Sequence, residues 1–310
     1  MELIRGLSGL RPRHQGSVVT IGTFDGIHPG HRALIDSLLD HGRRLGRPAM
    51  MLTFEPMPRE YLAVADPPAR LTSWRERWRV LQRTGLSAIL QLRFDAKLRC
   101  VTGDEFIGLL ANELKAAAVV IGHDFRFGRN GEATAPMLCE AGRRYGFEVH
   151  VVEPVLIDGM RVSSSEIRVA LAAGDLDRAA RLLGRPYSMV GRVVLGQQLG
   201  RDLGFPTANL RLGRKRTPLQ GIFAVRVNGI EGRPGAPGVA SLGTRPTVGG
   251  VVPLLEAHVF DYSGNLYGRE IEVEFVAKLR EELYFTTLDE LVVQMNVDAA
   301  QARAILGVVS

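Results

Sequence analysis

Between residues 17 and 160, short apolar runs alternate with amphipathic segments, and this alternation restricts the fold more than any other feature of the chain. The stretches 17–22 (SVVTIG), 49–54, 88–94, 117–121 and 148–155 have the length and apolarity of buried strands. Helical patterns separate them. Residues 31–45 place Leu34, Ile35, Leu38, Leu39 and Leu45 on one face, and 74–83 and 137–145 read as further helices. Thr102 and Glu105 have the spacing of a capping box opening a helix that runs to Leu114. Strands alternating with helices predict a parallel sheet covered on both faces, an α/β Rossmann-like domain.

A helical stretch over 163–184 follows, opened by a second capping box at Ser163 and Glu166, and Gly184-Arg185-Pro186 breaks it. The expected domains are therefore 1–183 and 184–310. The second half reads differently, with strand-like runs at 222–228, 255–261 and 270–279. Ile271, Val273 and Phe275 alternate with Glu272 and Glu274, the period of a half-buried antiparallel strand. Ser263-Gly264-Asn265 marks a turn, 229–238 a flexible surface loop, and 288–306 a C-terminal helix. Short strands with many Gly and Pro turns predict a small, mainly β barrel or sandwich.

The densest chemical signal is Gly22–His31, GTFDGIHPGH, between the first strand and first helix of the α/β half. Ligands of such sheets sit at the carboxyl ends of strands, and helix N-termini favour phosphate. Gly22, Gly26 and Gly30 allow close backbone approach. His28 and His31 supply ring N–H donors for a triphosphate and its departing pyrophosphate, with Phe24 and Asp25 beside them. A lone HxxH would more readily be two surface histidines; here position, glycines and Asp25 coincide. Ser163, Ser164, Ser165 and Arg168 form a second phosphate-binding candidate, against which simple helix capping is the plainer reading. In IGHDFRFG, Asp124 is a candidate for a nucleoside or flavin contact, and Phe125 and Phe127 for packing an aromatic ring, although in isolation a core-aromatic reading of those two is the better one.

In the second half, Gly191, Gly196, Gly200 and Gly204 precede Pro206-Thr207-Ala208-Asn209. Such glycines suit a loop over phosphates, and the Thr207 hydroxyl and Asn209 carbonyl are oxygen donors suited to Mg²⁺. Glu256 is a candidate general base, although a solvent-facing strand carboxylate is the plainer reading of that residue alone. The chain contains no GxxxxGK[ST] and no GxGxxG, which excludes a P-loop kinase and argues against a dinucleotide oxidoreductase.

The chain has 310 residues, two cysteines and a net charge of +6, with its basic residues scattered and only four of them lysine. Two thiols build no disulfide framework, and no apolar stretch approaches membrane-spanning length. The expectation is a cytoplasmic enzyme with no nucleic-acid or membrane partner, and homo-oligomerisation is left open.

The ordered segments GTFDGIHPGH, TFEPMPRE, IGHDFRFG and SSSEIR resemble the adenylyltransferase module of prokaryotic bifunctional FAD synthetases, within the HxGH nucleotidyltransferases. GRDLGFPTANL, GIFAV, GTRPTV, LEAHVFDYSGNLYG and LREELYF are similar to the riboflavin kinase module. The resemblance implies an adenylyltransferase domain followed by a six-stranded Greek-key barrel. It implies the substrates riboflavin, FMN and ATP, with Mg²⁺ and no tightly bound organic cofactor. Glu256 would be base on the riboflavin hydroxyl, Thr207 and Asn209 would hold Mg²⁺–ATP, and His28, His31, Ser164 and Arg168 would contact ATP phosphates. Phe125, Phe127, Arg280 and Phe285 would bind flavin. The competing expectations are that only one activity is live, or that a basic nucleic-acid-binding protein uses this scaffold.

Overall fold

The structure, a computed structural model, describes residues 1–63, 65–196, 200, 203–247 and 250–308. Two compact units result, one of residues 1–68 and 77–162, the other of 69–76 and 163–310. Gln197–Leu199, Arg201 and Asp202 of the glycine-rich segment, and Val248 of GTRPTV, lie outside the described residues.

In the first unit, β1 (Glu2–Arg5), β2 (Val18–Ile21), α1 (Pro29–Leu45) and β3 (Ala49–Glu55) are followed by α2 (Pro58–Leu62) and, from Arg77 onward, by α3 (Trp74–Leu81). Then come β4 (Ala88–Arg93), α4 (Ala96–Cys100), α5 (Gly103–Gly108) and β5 (Ala118–Gly122). A ribbon of β6 (Arg126–Phe127) and β7 (Ala133–Thr134) leads to α6 (Ala135–Tyr145) and β8 (Glu148–Val152). A second ribbon, β9 (Leu156–Ile157) with β10 (Met160–Arg161), closes the unit. The sheet runs β1-β4-β3-β2-β5-β8, and every pairing is parallel. From β2 the chain winds outward through β3 and β4 on one side and through β5 and β8 on the other. The switch point therefore falls between β2 and β5, where ligands of open α/β sheets bind.

The sheet core includes Val19, Ile21, Leu52, Leu90, Val119 and Ile121, all buried. Helix α1 begins two residues before the expected start, because Pro29 is preorganised for N1 and His28 caps it. The Thr102/Glu105 box forms reciprocally: Thr102 Oγ1 accepts the Glu105 N–H at 3.2 Å, and the Glu105 carboxylate accepts the Thr102 N–H at 2.7 Å. After α5 the helix continues through Leu109–Glu113 with a π turn. The fifth strand ends at Val152, short of the expected 155.

In the second unit the expected single helix over 163–184 is two, α7 (Ser164–Ala172) and α8 (Leu176–Leu183), broken at Gly174 with φ +75°. Its second capping box is half-formed. Ser163 Oγ accepts the Glu166 N–H, but the Glu166 carboxylate turns instead to Arg178 of α8 at 2.8 Å. Six strands then close a barrel: β11 (Ser188–Val194), β12 (Ala208–Arg211), β13 (Gly221–Asn228), β14 (Ala236–Thr247), β15 (Gly250–Val259) and β16 (Glu270–Arg280). Their order is β11-β12-β15-β14-β13-β16, every neighbour antiparallel, a Greek-key arrangement. Helix α9 (Leu288–Leu306) packs Ala302 and Leu306 against Ala224 and Phe260.

Glycine explains the strands hidden from the sequence. Part of the expected 229–238 loop belongs to β14, because a Cβ at Gly238 would stand 2.4 Å from the His258 carbonyl oxygen. Gly191, expected in a loop over phosphates, lies within β11 opposite Ile271, and a Cβ there would come 2.8 Å from that of Leu210. Residues 69–76 are tied to this unit by a buried ion pair. The Glu76 carboxylate accepts from Arg214 and, at 2.7 Å, from the Val190 N–H, while Arg214 also donates to the Leu71 carbonyl at 3.1 Å.

Candidate functional site

The first site grows from the loop joining β2 to α1. Three residues of this loop use left-handed backbone: Phe24 at φ 51°, Gly26 at φ 88° and Ile27 at φ 47°. Two of these are bulky L-residues, which take that conformation only when the surroundings enforce it, as at binding sites. Phe24 and Ile27 are fully buried and anchor the loop from beneath. His28 caps α1, its Nδ1 accepting the His31 N–H at 3.3 Å. The two imidazoles stack at 3.7 Å, and the Phe24 ring lies 5.1 Å from that of His31. A Cβ at Gly30 would stand 3.2 Å from the His28 ring, so glycine gives that ring its room.

Burial, then the charges of His28 and Arg77, hold His31 well below the usual imidazole range. It is therefore neutral at physiological pH in the unliganded protein. Among the described residues, its Nδ1 is buried without a hydrogen-bond partner. An orphaned buried nitrogen is costly unless something arrives to use it.

Arg77 was not apparent from the sequence. It is 1% exposed and donates to the Thr23 carbonyl at 2.7 Å and to Glu55, at the carboxyl end of β3, at 2.9 Å. Two strand ends and the histidine loop are thereby fixed together. Asp25 is likewise buried.

Across the switch point, Asp124 follows the end of β5. Partial burial raises its carboxyl, but the Arg161 hydrogen bond at 2.5 Å and its charge prevail, so it titrates below the usual range. Phe127 packs in the sheet core against Phe106, ring centroids 5.6 Å apart. Phe125 stacks on Phe127 at 5.4 Å and is only half-buried. In the second unit, Ser163 caps α7 and Ser164 and Ser165 fill its first turn, while Arg168 Nε donates to the Ala69 carbonyl at 2.6 Å.

The second site is a 330 Å³ cavity of the barrel unit, and it gathers residues far apart in sequence: Gly200, Thr207, Glu256, Arg280 and Phe285 all line it. Antiparallel register sets Asn209 of β12 opposite Glu256 of β15, with Ser241 of β14 opposite Glu256 on its other side. Asn209 is 6% exposed, and a Cβ at Gly196 would stand 2.5 Å from its amide, so Gly196 leaves space for that group. A Cβ at Gly200 would meet the Phe205 carbonyl at 2.4 Å, and Gly204 turns with φ +82°. Thr207 and Asn209 thus bring neutral oxygen donors beside a carboxylate, a hard donor set suited to a divalent cation that keeps part of its water.

Two further residues of this site escaped the sequence reading. His258, two positions after Glu256, hydrogen-bonds the Pro206 carbonyl at 2.9 Å and holds the Phe205 ring edge-on at 5.2 Å. Asp298 of α9, 4% exposed, grips Arg280 with two bonds of 2.9 and 2.7 Å, and the guanidinium lies 5.9 Å from the centre of the Phe285 ring. Register and the packing of a distant helix create both, and no local pattern announces either.

One nucleotide-type site at the switch point of a doubly wound sheet and a second in a barrel with a carboxylate facing oxygen donors define a two-centre phosphate-transfer enzyme. Residues 10–166 match the FAD synthetase family, and residues 183–306 match the riboflavin kinase family. Among curated proteins, the bifunctional riboflavin kinase/FMN adenylyltransferase of Escherichia coli K12 is 44% identical over 99% of this chain and 98% of its own. That of Pseudomonas fluorescens is 44% identical over 98% of both chains, and that of Haemophilus influenzae is 41% identical over 98% and 99%. A solved structure described as a macrolide-efflux protein from Streptococcus pneumoniae superimposes with a TM-score of 0.79 at 30% identity, covering 96% of this chain and 97% of that one. Among the described residues, no helix is long and apolar enough to cross a membrane. The chain belongs to the bifunctional riboflavin kinase/FMN adenylyltransferase family.

Proposed function

We propose that the two centres divide the family's two reactions between them: the barrel cavity phosphorylates riboflavin to FMN, and the switch-point site adenylylates FMN to FAD. The observation that carries this division is the opposition of Glu256 to Asn209 in the barrel, against the stacked His28 and His31 rings at the start of α1.

In the kinase step, the riboflavin hydroxyl oxygen attacks the γ-phosphorus of ATP, the bond to the β,γ-bridging oxygen breaks, and ADP leaves. Glu256 accepts the hydroxyl proton, and Arg280, oriented by Asp298, holds the flavin with Phe285. Positioning supplies most of the catalysis in such transfers. Thr207 and Asn209 would hold Mg²⁺, which neutralises phosphate charge when bound. Gly196, Gly200, Gly204 and Pro206 shape the turn carrying them.

In the adenylyl step, an FMN phosphate oxygen attacks the α-phosphorus of a second ATP, and pyrophosphate departs. The nucleophile is already anionic, so no base is needed. His28 and the buried His31 Nδ1 serve the triphosphate, with Gly22, Phe24, Asp25 and Gly30 holding the loop. In the first unit we also assign Asp124 and Phe125 to nucleotide and flavin, and in the second unit Ser163, Ser164, Ser165 and Arg168 to phosphate. Phe127 supports Phe125 from the core.

We divide the catalytic modules at 183/184 and place the enzyme in the cytoplasm, in keeping with the free thiols Cys100 and Cys139. Incubation of the full chain with riboflavin and Mg²⁺–ATP, followed by chromatography, should show FMN rising first and FAD after it. Absence of either product contradicts the assignment.

A further inference from the structure

A cluster outside both centres converges on a single cation. His41 and Arg44 lie in the last turns of α1, and Glu148 and His150 project from the same side of β8. The His41 and His150 rings stack at 3.5 Å, and His150 Nε2 lies 2.8 Å from Glu148 Oε2. The Arg44 guanidinium stands among these groups. One of its nitrogens hydrogen-bonds His41 Nδ1 at 3.2 Å and also pairs with the same Glu148 oxygen. One donor atom from each of His41, Glu148 and His150 lies within 4.8 Å of the other two.

We propose that His41, Glu148 and His150 form a binding site for a divalent transition ion of the Zn²⁺ type, for which the Arg44 guanidinium is the resident competitor.

The donor chemistry is that of a two-histidine, one-carboxylate zinc site, which leaves a fourth position for water. Tetrahedral bonds of about 2.1 Å set donors about 3.4 Å apart, so the cluster needs only small movements. The stacked rings, 16° apart, must tilt open for both lone pairs to meet one ion. Arg44 is half-exposed and can swing into solvent as they do. A bound ion would clamp α1 to β8 about 20 Å along the helix from the His28 cap, given 1.5 Å per residue. The site would thereby brace the helix that carries the adenylyl histidines without touching substrate.

Isothermal titration of the full chain with Zn²⁺, without nucleotide, tests this in the wild type and in the H41A, H150A and R44Q variants. We expect one binding component that weakens at least tenfold in H41A and in H150A, as loss of a ligand requires. The same component should tighten about threefold in R44Q, the scale set by one exposed ion pair. Zn²⁺ should raise the melting temperature of the wild type and of R44Q but not of H150A, a readout that also verifies folding of each variant. Identical isotherms for wild type, H150A and R44Q overturn the proposal, as does the lack of any binding to R44Q.

Discussion

The two phosphate-handling regions solve related problems by different means. In the α/β unit, ten contiguous residues supply the histidines, the glycines and the helix N-terminus, and backbone conformations that Phe24 and Ile27 rarely adopt give the loop its shape. In the barrel, the backbone is largely regular, and register assembles the site from segments more than 80 residues apart, Gly200 to Asp298. The nucleophiles account for the contrast. A flavin phosphate is ionised before it binds, so its site needs only charge-stabilising donors. A sugar hydroxyl must lose a proton as it attacks, so its site needs a fixed carboxylate.

The sharpest way to break this comparison is Glu256→Gln. Riboflavin kinase kcat should fall about 10²- to 10⁴-fold, the usual range for a general base, while conversion of supplied FMN to FAD is unchanged in a coupled pyrophosphate assay. Next in size, H28A/H31A should lower FAD formation about 10²- to 10³-fold, the scale of losing preorganised donors, with FMN formation retained on the same chromatogram.

The difference between the regions also decided how much could be seen beforehand. The doubly wound sheet was legible because buried parallel strands are continuous apolar runs, and GTFDGIHPGH is contiguous. The barrel class was legible from the alternation at 270–279, and α9 matched its expected span of 288–306. The runs at 222–228 and 255–261 matched β13 and the second half of β15, but β11, β12 and β14 were not legible, since Gly191 and Gly238 look like turn residues until the neighbouring chain that excludes a Cβ is in place. The helical stretch expected over 163–184 is interrupted because Gly174 ends α7. Arg77, His258 and Asp298 act through partners 22 to 54, 52 and 18 residues away, distances that periodicity does not encode.

Stability sharpens the contrast further. Arg214→Ala leaves the buried Glu76 carboxylate without its cation and should cost about 3–5 kcal/mol, read as a shifted denaturation midpoint at unchanged slope. Asp298→Asn removes the charge from a two-bond grip on Arg280 and should raise the riboflavin KM about tenfold, with the FMN KM of the second reaction unmoved. The smallest effect concerns pH. His31 has a folded-state value below its unfolded one, so below about pH 6.5 the unfolded chain binds more protons and folding weakens as pH falls. Melting temperatures should decline from pH 7 to pH 5 more steeply in the wild type than in His31→Asn.

Separateness of the two centres is the claim on which the rest depends, and product analysis of E256Q beside H28A/H31A tests it most directly. Each would be supplied with riboflavin and ATP, then with FMN and ATP. E256Q should form FMN about 10²- to 10⁴-fold more slowly yet complete FAD from supplied FMN at the wild-type rate, and the histidine variant should accumulate FMN. Loss of both products in either variant, each shown to be folded, would contradict the account.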